Sequence, residues 1–476
     1  MSTELWRWSA EQTARGIRDG EISSTEAVTS ALARLEATNA VSNAFGEVLE
    51  NALDLAKTAD AAVARGDRLG PLHGVPTAIK LNTDIEGLPT PDGVEAYRGN
   101  IATESAPVVV NLRAAGAIPI GRTNCPPFSF MWSSTSDGFG VTRNPWDASV
   151  TPGGSSGGAA AALATGVVSI AHGNDIAGSI RYPAAVCGVV GLRPTVGRVP
   201  LWHPAPGTGM LLAFQHFGVE GPMGRTVADV RLGLRAMQGG DVRDPVWIPA
   251  QDLPDAGPVR VAVVTDPGEH ALAGRGLPQT DSAVRTAGDW LTAAGYEVEE
   301  VALQALGEAA TLWWKLTYTE LRAFGVFAEV ERVGDAGIRA FMDYSDVAVV
   351  EAFGTVALED YLATQARLSL LRRQISEFMD RYPLLLLPLS GEPPFPLGDD
   401  TQSAARVHEL IRHQWPNTAL PALGLPGLSL PVVPTSGAPL GIQLAGRAFH
   451  EDALLRAGEV IESRSKIITP IDPRKP

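Results

Sequence analysis

Cysteine is almost missing from this chain: Cys125 and Cys187 are the only two among 476 residues. Two thiols build no disulfide framework, so the expectation is a pair of buried, reduced thiols in a cytoplasmic protein. The opening stretch, "MSTELWRWSAEQTARG", has no basic segment followed by an apolar run, so no signal peptide is expected. No run of about 18 apolar residues occurs, and no membrane-spanning helix is expected. The longest apolar piece, "YPLLLLPLS" at 382–390, is strand-sized and bounded by proline. Positive charge is in deficit, with 38 Lys and Arg against 53 Asp and Glu and a net charge of −15. That balance argues against a nucleic-acid backbone or an anionic membrane as the main partner. Internal repeats are lacking, as is low-complexity sequence beyond the terminal "DPRKP".

What remains is an ordinary globular composition, 45% hydrophobic and 19% charged, enough to bury a large core. The first part reads as helices. Ser23 followed by Glu26 fits a capping box ahead of "STEAVTSALARLEA", and "ENALDLAKTADAAVARG" is a second amphipathic helix ending at glycine. Alternation follows: strands at "GVPTAIK" (74–80), "AIPIGRT", "VVSIAHG", "VRVAVVTD" (259–266) and "YEVEEV", with helices between them. Long helices fill 308–381, strands recur at "LLLLPL", "GLSLPVV" and "LGIQLAG", and a last helix runs from about Glu451 to Glu462. The pattern predicts an α/β protein with one large mixed, mostly parallel sheet covered by helices on both faces. The stretch 240–256 is the most linker-like and reads as a surface loop within one domain.

The glycine–serine run in "TPGGSSGG" (151–158) has three readings. A flexible linker would not lead straight into the alanine-rich apolar stretch that follows. A phosphate loop needs Lys then Ser or Thr after its second glycine, and Gly158 is followed by Ala159. A nucleophile elbow needs a buried strand just before it, and the preceding "NPWDASVTP" is polar and proline-broken. None of the eight histidines is set off by its surroundings, so no Ser-His-Asp set is indicated, and His172 reads as a structural residue. Downstream, "GNDIAGSIRYPAAVCGVVGLRPT" presents Ser179 on a small-residue turn after a strand, where successive backbone N–H groups can converge on an oxyanion.

These pieces together resemble the amidase signature family of serine hydrolases. The resemblance rests on "GVPTAIK", "GRTNCPPFSF", "FGVTRNPWD", "TPGGSSGG", "NDIAGSIRYPAAVCGVVGLRPT", "LPALGLPGLSLPVV" and "PLGIQLAG". It implies the amidase-signature fold as a single domain over 1–476: a helical part (1–70), the signature core (71–235), a variable substrate-shaping region (240–410) and C-terminal strands and helix (415–465). It implies Ser179 as nucleophile, Ser155 as a bridging serine after a cis peptide, and Lys80 as base. It places the oxyanion N–H groups on Ile176, Ala177, Gly178 and Ser179, with Ser156, Asp175 and Arg181 in support. Asp175 is expected to brace the loop through backbone N–H groups, and Arg181 is either an ion-pair partner or a substrate contact. Cys187, in an apolar run with no base beside it, is expected to pack. No metal or cofactor is implied, and a homodimer is compatible with the family. Three positions depart from the usual pattern: Leu81 where aspartate is common, Asn174 where threonine or serine is frequent, and Ala177 where glycine is usual.

The family cleaves carbon–nitrogen acyl bonds. In "PPFSFMW", Ser129 is expected to face the substrate and Phe128, Phe130, Met131 and Trp132 to line an apolar pocket, with one or two of them facing the core instead, and "LWHPAPGTGM" and "LWWKLTY" supply further aromatics. The expected substrate is a small aromatic or apolar amide or acyl hydrazide, cleaved through an acyl-Ser179 intermediate. The alternatives are the amidase component of a tRNA-dependent amidotransferase, or a carbamate or ester hydrolase of the same family.

Overall fold

Leu384 to Leu387 show why the chain builds a sheet with two covered faces. Leu384 and Leu386 pack into one apolar cluster, while Leu385 and Leu387 pack into another. Side chains alternate along a strand, so an unbroken apolar run is a strand buried on both sides. The structure, a computed structural model, describes residues 4–202, 209–249, 259–434 and 437–475.

In chain order the strands are β1 (Phe45–Val48), β2 (Pro76–Lys80), β3 (Ile118–Thr123), β4 (Thr135–Ser136), β5 (Gly140–Val141), β6 (Ile170–Asp175), β7 (Val190–Arg193), β8 (Val219–Gly224), β9 (Arg260–Val263), β10 (Glu297–Glu300), β11 (Leu384–Pro388), β12 (Gly427–Val433) and β13 (Leu440–Gly446). Eleven form one sheet in the order β1-β3-β2-β6-β8-β7-β12-β13-β11-β9-β10, and β4 with β5 makes a small separate ribbon. The expected large mixed sheet is therefore present. Its parallel pairing is concentrated in two runs, β3-β2-β6 and β11-β9-β10. The six pairings at the β1 edge and through the middle are antiparallel.

Helices cover both faces. Pro107–Ala114, Val227–Met237, Pro278–Thr292 and Glu451–Glu462 bury their apolar sides with Leu384 and Leu386. Across the sheet, Ala305–Ala323, Ala336–Phe353, Leu358–Arg381 and Trp415–Leu423 enclose the other large cluster. The capping box holds: Ser23 and Glu26 cap the helix Ser24–Ser42 reciprocally. Helix Gly157–Ala164 is buried along its whole length, as its small residues require of a helix packed inside a core. Of the linker-like stretch, residues 250–256 lie outside the described residues, as do 203–208 of "LWHPAPGTGM".

The topology also builds the site. Strands β2 and β6 are parallel neighbours in the register Thr77↔Ile170 and Ala78↔Ala171. Their carboxyl ends emerge side by side, with Lys80 ending one strand and Asp175 the other. Loops at the carboxyl ends of parallel strands are where such sheets place their sites.

Candidate active site

Lys80 is fully buried, and its Nζ lies 2.6 Å from Ser155 Oγ. Burial pushes the Lys80 ammonium below its ordinary value of 10.5, because desolvation penalises the charged form. The acids that oppose this shift are Asp92, Glu220 and Asp175. Cys125 does not join them at neutral pH, since burial raises its thiol to about 12. Behind Lys80, its backbone N–H donates to His172 Nδ1 at 3.4 Å. The other ring nitrogen of His172 meets buried Glu220. His172 is thus a satisfied structural histidine, as expected.

The Gly154–Ser155 peptide is cis. A side chain at Gly154 would strike the carbonyls of Met131 and Ser133, each 2.4 Å from an added Cβ, so the glycine permits the close approach of the two loops. The N–H of Ser156 donates to the carbonyl of Ser179 at 3.1 Å, which fastens the serine loop to the Ser179 turn. The buried Ser156 hydroxyl has no partner among the described residues. Its contribution to the site is this backbone bond.

Ser179 follows Gly178, whose φ of +92° belongs to the left-handed region. An added Cβ at Gly178 would also lie 2.4 Å from Asn417 Cγ. The turn is braced by Asp175. Its carboxylate accepts N–H bonds from Gly178 (3.0 Å), Ile180 (3.2 Å) and Arg181 (3.4 Å). It also accepts from the Arg181 guanidinium at 3.0 and 2.9 Å. Burial works to raise this carboxyl, but Arg181, Arg193 and the loop N–H groups outweigh it and hold it at about 2. Arg181 is fully buried and also bonds Gln443 and the carbonyls of Pro416 and Asn417, which fits the ion-pair reading of this residue. Arg193 and Gln443 stand within motifs, but their role here, like that of Asn417, arises only when β7, β13 and helix Trp415–Leu423 meet this turn.

The expected oxyanion donors need one correction. The N–H of Gly178 is directed to Asp175, not to a substrate oxygen. The peptide between Ala177 and Gly178 is held at both ends, since its carbonyl accepts from Trp132 Nε1 at 3.0 Å. The N–H groups of Ile176, Ala177 and Ser179 have no acceptor among the described residues.

Ser179 lines a small cavity. Ser129, Met131, Trp132, Ile176 and Ala177 form the near wall. Phe214, Trp313, Trp314, Thr317, Tyr318 and Phe341 form the far wall, so "LWWKLTY" does deliver its aromatics. No charged side chain lines the cavity among the described residues. Phe128 is not a lining residue; it stacks on Phe130 with centroids 6.0 Å apart. Cys187 is fully buried, its thiol faces the Pro152 carbonyl, and burial raises its pKa, all of which fit packing. No cluster of side chains that could hold a metal ion occurs among the described residues, and no helix there is long and apolar enough to cross a membrane.

Comparison with known proteins identifies the family. The model of the Amidase family matches residues 26–455. The chain is 38% identical over 472 residues to an indoleacetamide hydrolase of Bradyrhizobium diazoefficiens, covering 98% of this chain and 88% of that protein. It is 32% identical to one component of the glutamyl-tRNA(Gln) amidotransferase of a Roseiflexus species, covering 97% of each. Among solved structures, 6-aminohexanoate cyclic dimer hydrolase with its substrate superposes with a TM-score of 0.81 at 26% identity, over 100% of this chain and 99% of that one. A bacterial aryl acylamidase superposes with a TM-score of 0.79 at 23% identity, covering 97% of each chain, which supports the fold. The chain belongs to the Amidase family, and it is a hydrolase of carbon–nitrogen bonds other than peptide bonds.

Proposed function

We propose that this enzyme hydrolyses the amide or hydrazide of a small aromatic carboxylic acid through an acyl-Ser179 intermediate. The observation that carries this reading is the cavity: among the described residues, Ser179 opens into aromatic walls without a charged group. A planar ring gains contact on every side there, while an ammonium or carboxylate would be desolvated without a partner. The relative named for indoleacetamide agrees, since that amide carries a planar aromatic ring. Buried Thr317 Oγ1 and the Nε1 groups of Trp313 and Trp314 have no partner among the described residues. Thr317 can accept an indole N–H, and the two tryptophans can donate to a polar atom on the ring.

Lys80, neutral, takes a proton from Ser155 as Ser155 takes one from Ser179. The Ser179 oxygen adds to the carbonyl carbon, and the N–H groups of Ile176, Ala177 and Ser179 receive the developing oxyanion. Each such donor is worth about 3 kcal/mol of transition-state stabilisation. The proton returns along the same path to the leaving nitrogen, the carbon–nitrogen bond breaks, and water repeats the sequence on the acyl-enzyme. Acid–base help of this kind contributes on the order of 10² to 10⁴-fold. Two buried free cysteines suit a reducing compartment, and we place the enzyme in the cytoplasm.

The test is a panel of indole-3-acetamide, benzamide, benzoyl hydrazide, an anilide, an aryl carbamate and glutamine. The expected result is turnover of the aromatic amides or hydrazide and none of glutamine. Glutamine as the best substrate would instead support an amidotransferase component, and a preference for charged or peptide amides would overturn the aromatic-acyl reading.

A further inference from the structure

The proposed relay leaves one need unmet: a neutral lysine amine has a single lone pair, and something must aim it at Ser155. Lys80 Nζ makes a second contact, donating to Asn174 Oδ1 at 2.6 Å. Asn174 sits on β6, beside the strand that carries Lys80. Its amide orientation is settled by Asn82, whose side chain pairs with it in both directions. Asn174 Nδ2 donates to Asn82 Oδ1 at 3.0 Å, and Asn82 Nδ2 donates to Asn174 Oδ1 at 3.3 Å. The two amides cannot turn over together, because Ser129 gives its proton to Asp92 and must accept from Asn82 Nδ2, so Asn174 Oδ1 faces the lysine. The chain of bonds continues: Asn82 Nδ2 donates to Ser129 Oγ at 3.1 Å, and Ser129 Oγ donates to Asp92 Oδ1 at 2.7 Å. It runs from the lysine to a residue of the cavity wall.

We propose that Asn174 is the positioning residue that turns the Lys80 amine toward Ser155, and that Asn82 fixes Asn174 and ties it to the substrate-facing Ser129 loop. The inference rests on Lys80 acting as the base. With Asn174 accepting one amine hydrogen, the torsion about Cε–Nζ is fixed, and the lone pair can take the position that faces Ser155 Oγ, also 2.6 Å away. An acceptor without charge matters here, because a carboxylate at this distance would favour the protonated lysine and remove the base. The other titratable groups facing Lys80 are Cys125, Asp92, Glu220 and Asp175, with His172 at its backbone. A substitution at position 174 leaves all of them in place.

The isosteric pair Asn174→Thr and Asn174→Val tests this, since only threonine can accept from the lysine. The proposal expects kcat of Asn174→Thr within about tenfold of wild type. It expects Asn174→Val to fall about 100-fold further in kcat, with KM of both variants within about threefold. It also expects Asn174→Asp to move the acid limb of the pH–kcat/KM profile up by about one pH unit or more. Equal kcat for the threonine and valine variants would overturn it, as would an unmoved acid limb in Asn174→Asp. If Asn174→Val does not fold, Asn174→Asp and Asn82→Ala decide: the second is expected to lower kcat about tenfold or more at unchanged KM, and wild-type kcat there would overturn the role of Asn82. Lys80→Ala is measured alongside. Activity retained in Lys80→Ala would remove the base assignment itself, whereas loss there with equal threonine and valine variants would remove only this inference.

Discussion

Replacing Asp175 by asparagine tests the brace beneath the Ser179 turn. The carboxylate is fully buried, accepts from three backbone N–H groups and pairs with Arg181, with Arg193 at 3.6 Å. Asparagine keeps the shape but turns one acceptor into a donor that faces donors, and it leaves two buried guanidinium groups without their counter-charge. Removing one partner of a buried pair costs about 3–5 kcal/mol. At about 2.1 cal/mol/K per residue of unfolding entropy, a chain of 476 residues loses ~4 °C of Tm for ~4 kcal/mol. The catalytic effect is larger. Release of the Gly178 N–H lets the 177–178 peptide rotate, which disturbs the neighbouring donors, and losing one donor costs about 10² to 10³ in kcat. Differential scanning calorimetry and steady-state kinetics on the best amide read both effects. An Asp175→Asn variant with Tm within about 1 °C and kcat within about threefold of wild type would refute the reasoning. The pH dependence has a definite sign. A carboxyl depressed to about 2 contributes stability that is complete above the unfolded value near 3.9 and is lost as pH falls through about 2. Wild type should therefore lose part of its stability between those values, and Asp175→Asn should lose less.

Other outcomes follow from the same geometry. Lys80→Arg holds a positive charge at every working pH, so kcat should fall at least ~10³-fold, and wild-type kcat/KM should rise with pH along a limb below the ordinary lysine value of 10.5. Thr317→Val should weaken kcat/KM for indole-3-acetamide about tenfold while leaving benzamide nearly unchanged, because only the indole brings an N–H to Thr317; equal losses on both would remove that contact. Cys187→Ala should keep full activity, and native protein should resist a thiol reagent until unfolded, since both cysteines are buried and burial raises both thiols; rapid native labelling would contradict this.

Local signals make much of the fold legible in the sequence. The Ser23–Glu26 box, the glycine after Arg65 and the helix Glu451–Glu462 are set by residues a few positions apart. Three strands of the large sheet escape such signals, as does the β4–β5 ribbon. β1 and β7 are each only four residues long. β8, "VEGPMG", carries proline and glycine that argue against a strand. Its Gly221 is needed because an added Cβ would lie 2.4 Å from the Leu192 carbonyl, a contact made only after β7 and β8 pair. Helix Ala10–Arg18 is legible in principle, since Ser9 and Gln12 form a capping box. In the site, Lys80, Ser155 and Ser179 stand in ordered motifs, and the structure brings their loops together. Asn82 gives no separate signal, and Asn174 registers only as a departure; their pairing needs β2 and β6 side by side. The Gly178 N–H is misassigned from the motif because a motif does not tell which way a peptide plane turns.

The most direct measurement is to trap the acyl-enzyme. Wild type and Ser179→Ala are mixed with an activated aryl ester, quenched in acid within the first turnover, and mapped by peptide mass spectrometry. The account predicts one acyl group per chain on the peptide containing Ser179, absent from the Ser179→Ala variant, which should also lose amide hydrolysis. An adduct on Ser155 or Cys187, or undiminished hydrolysis by Ser179→Ala, would contradict it.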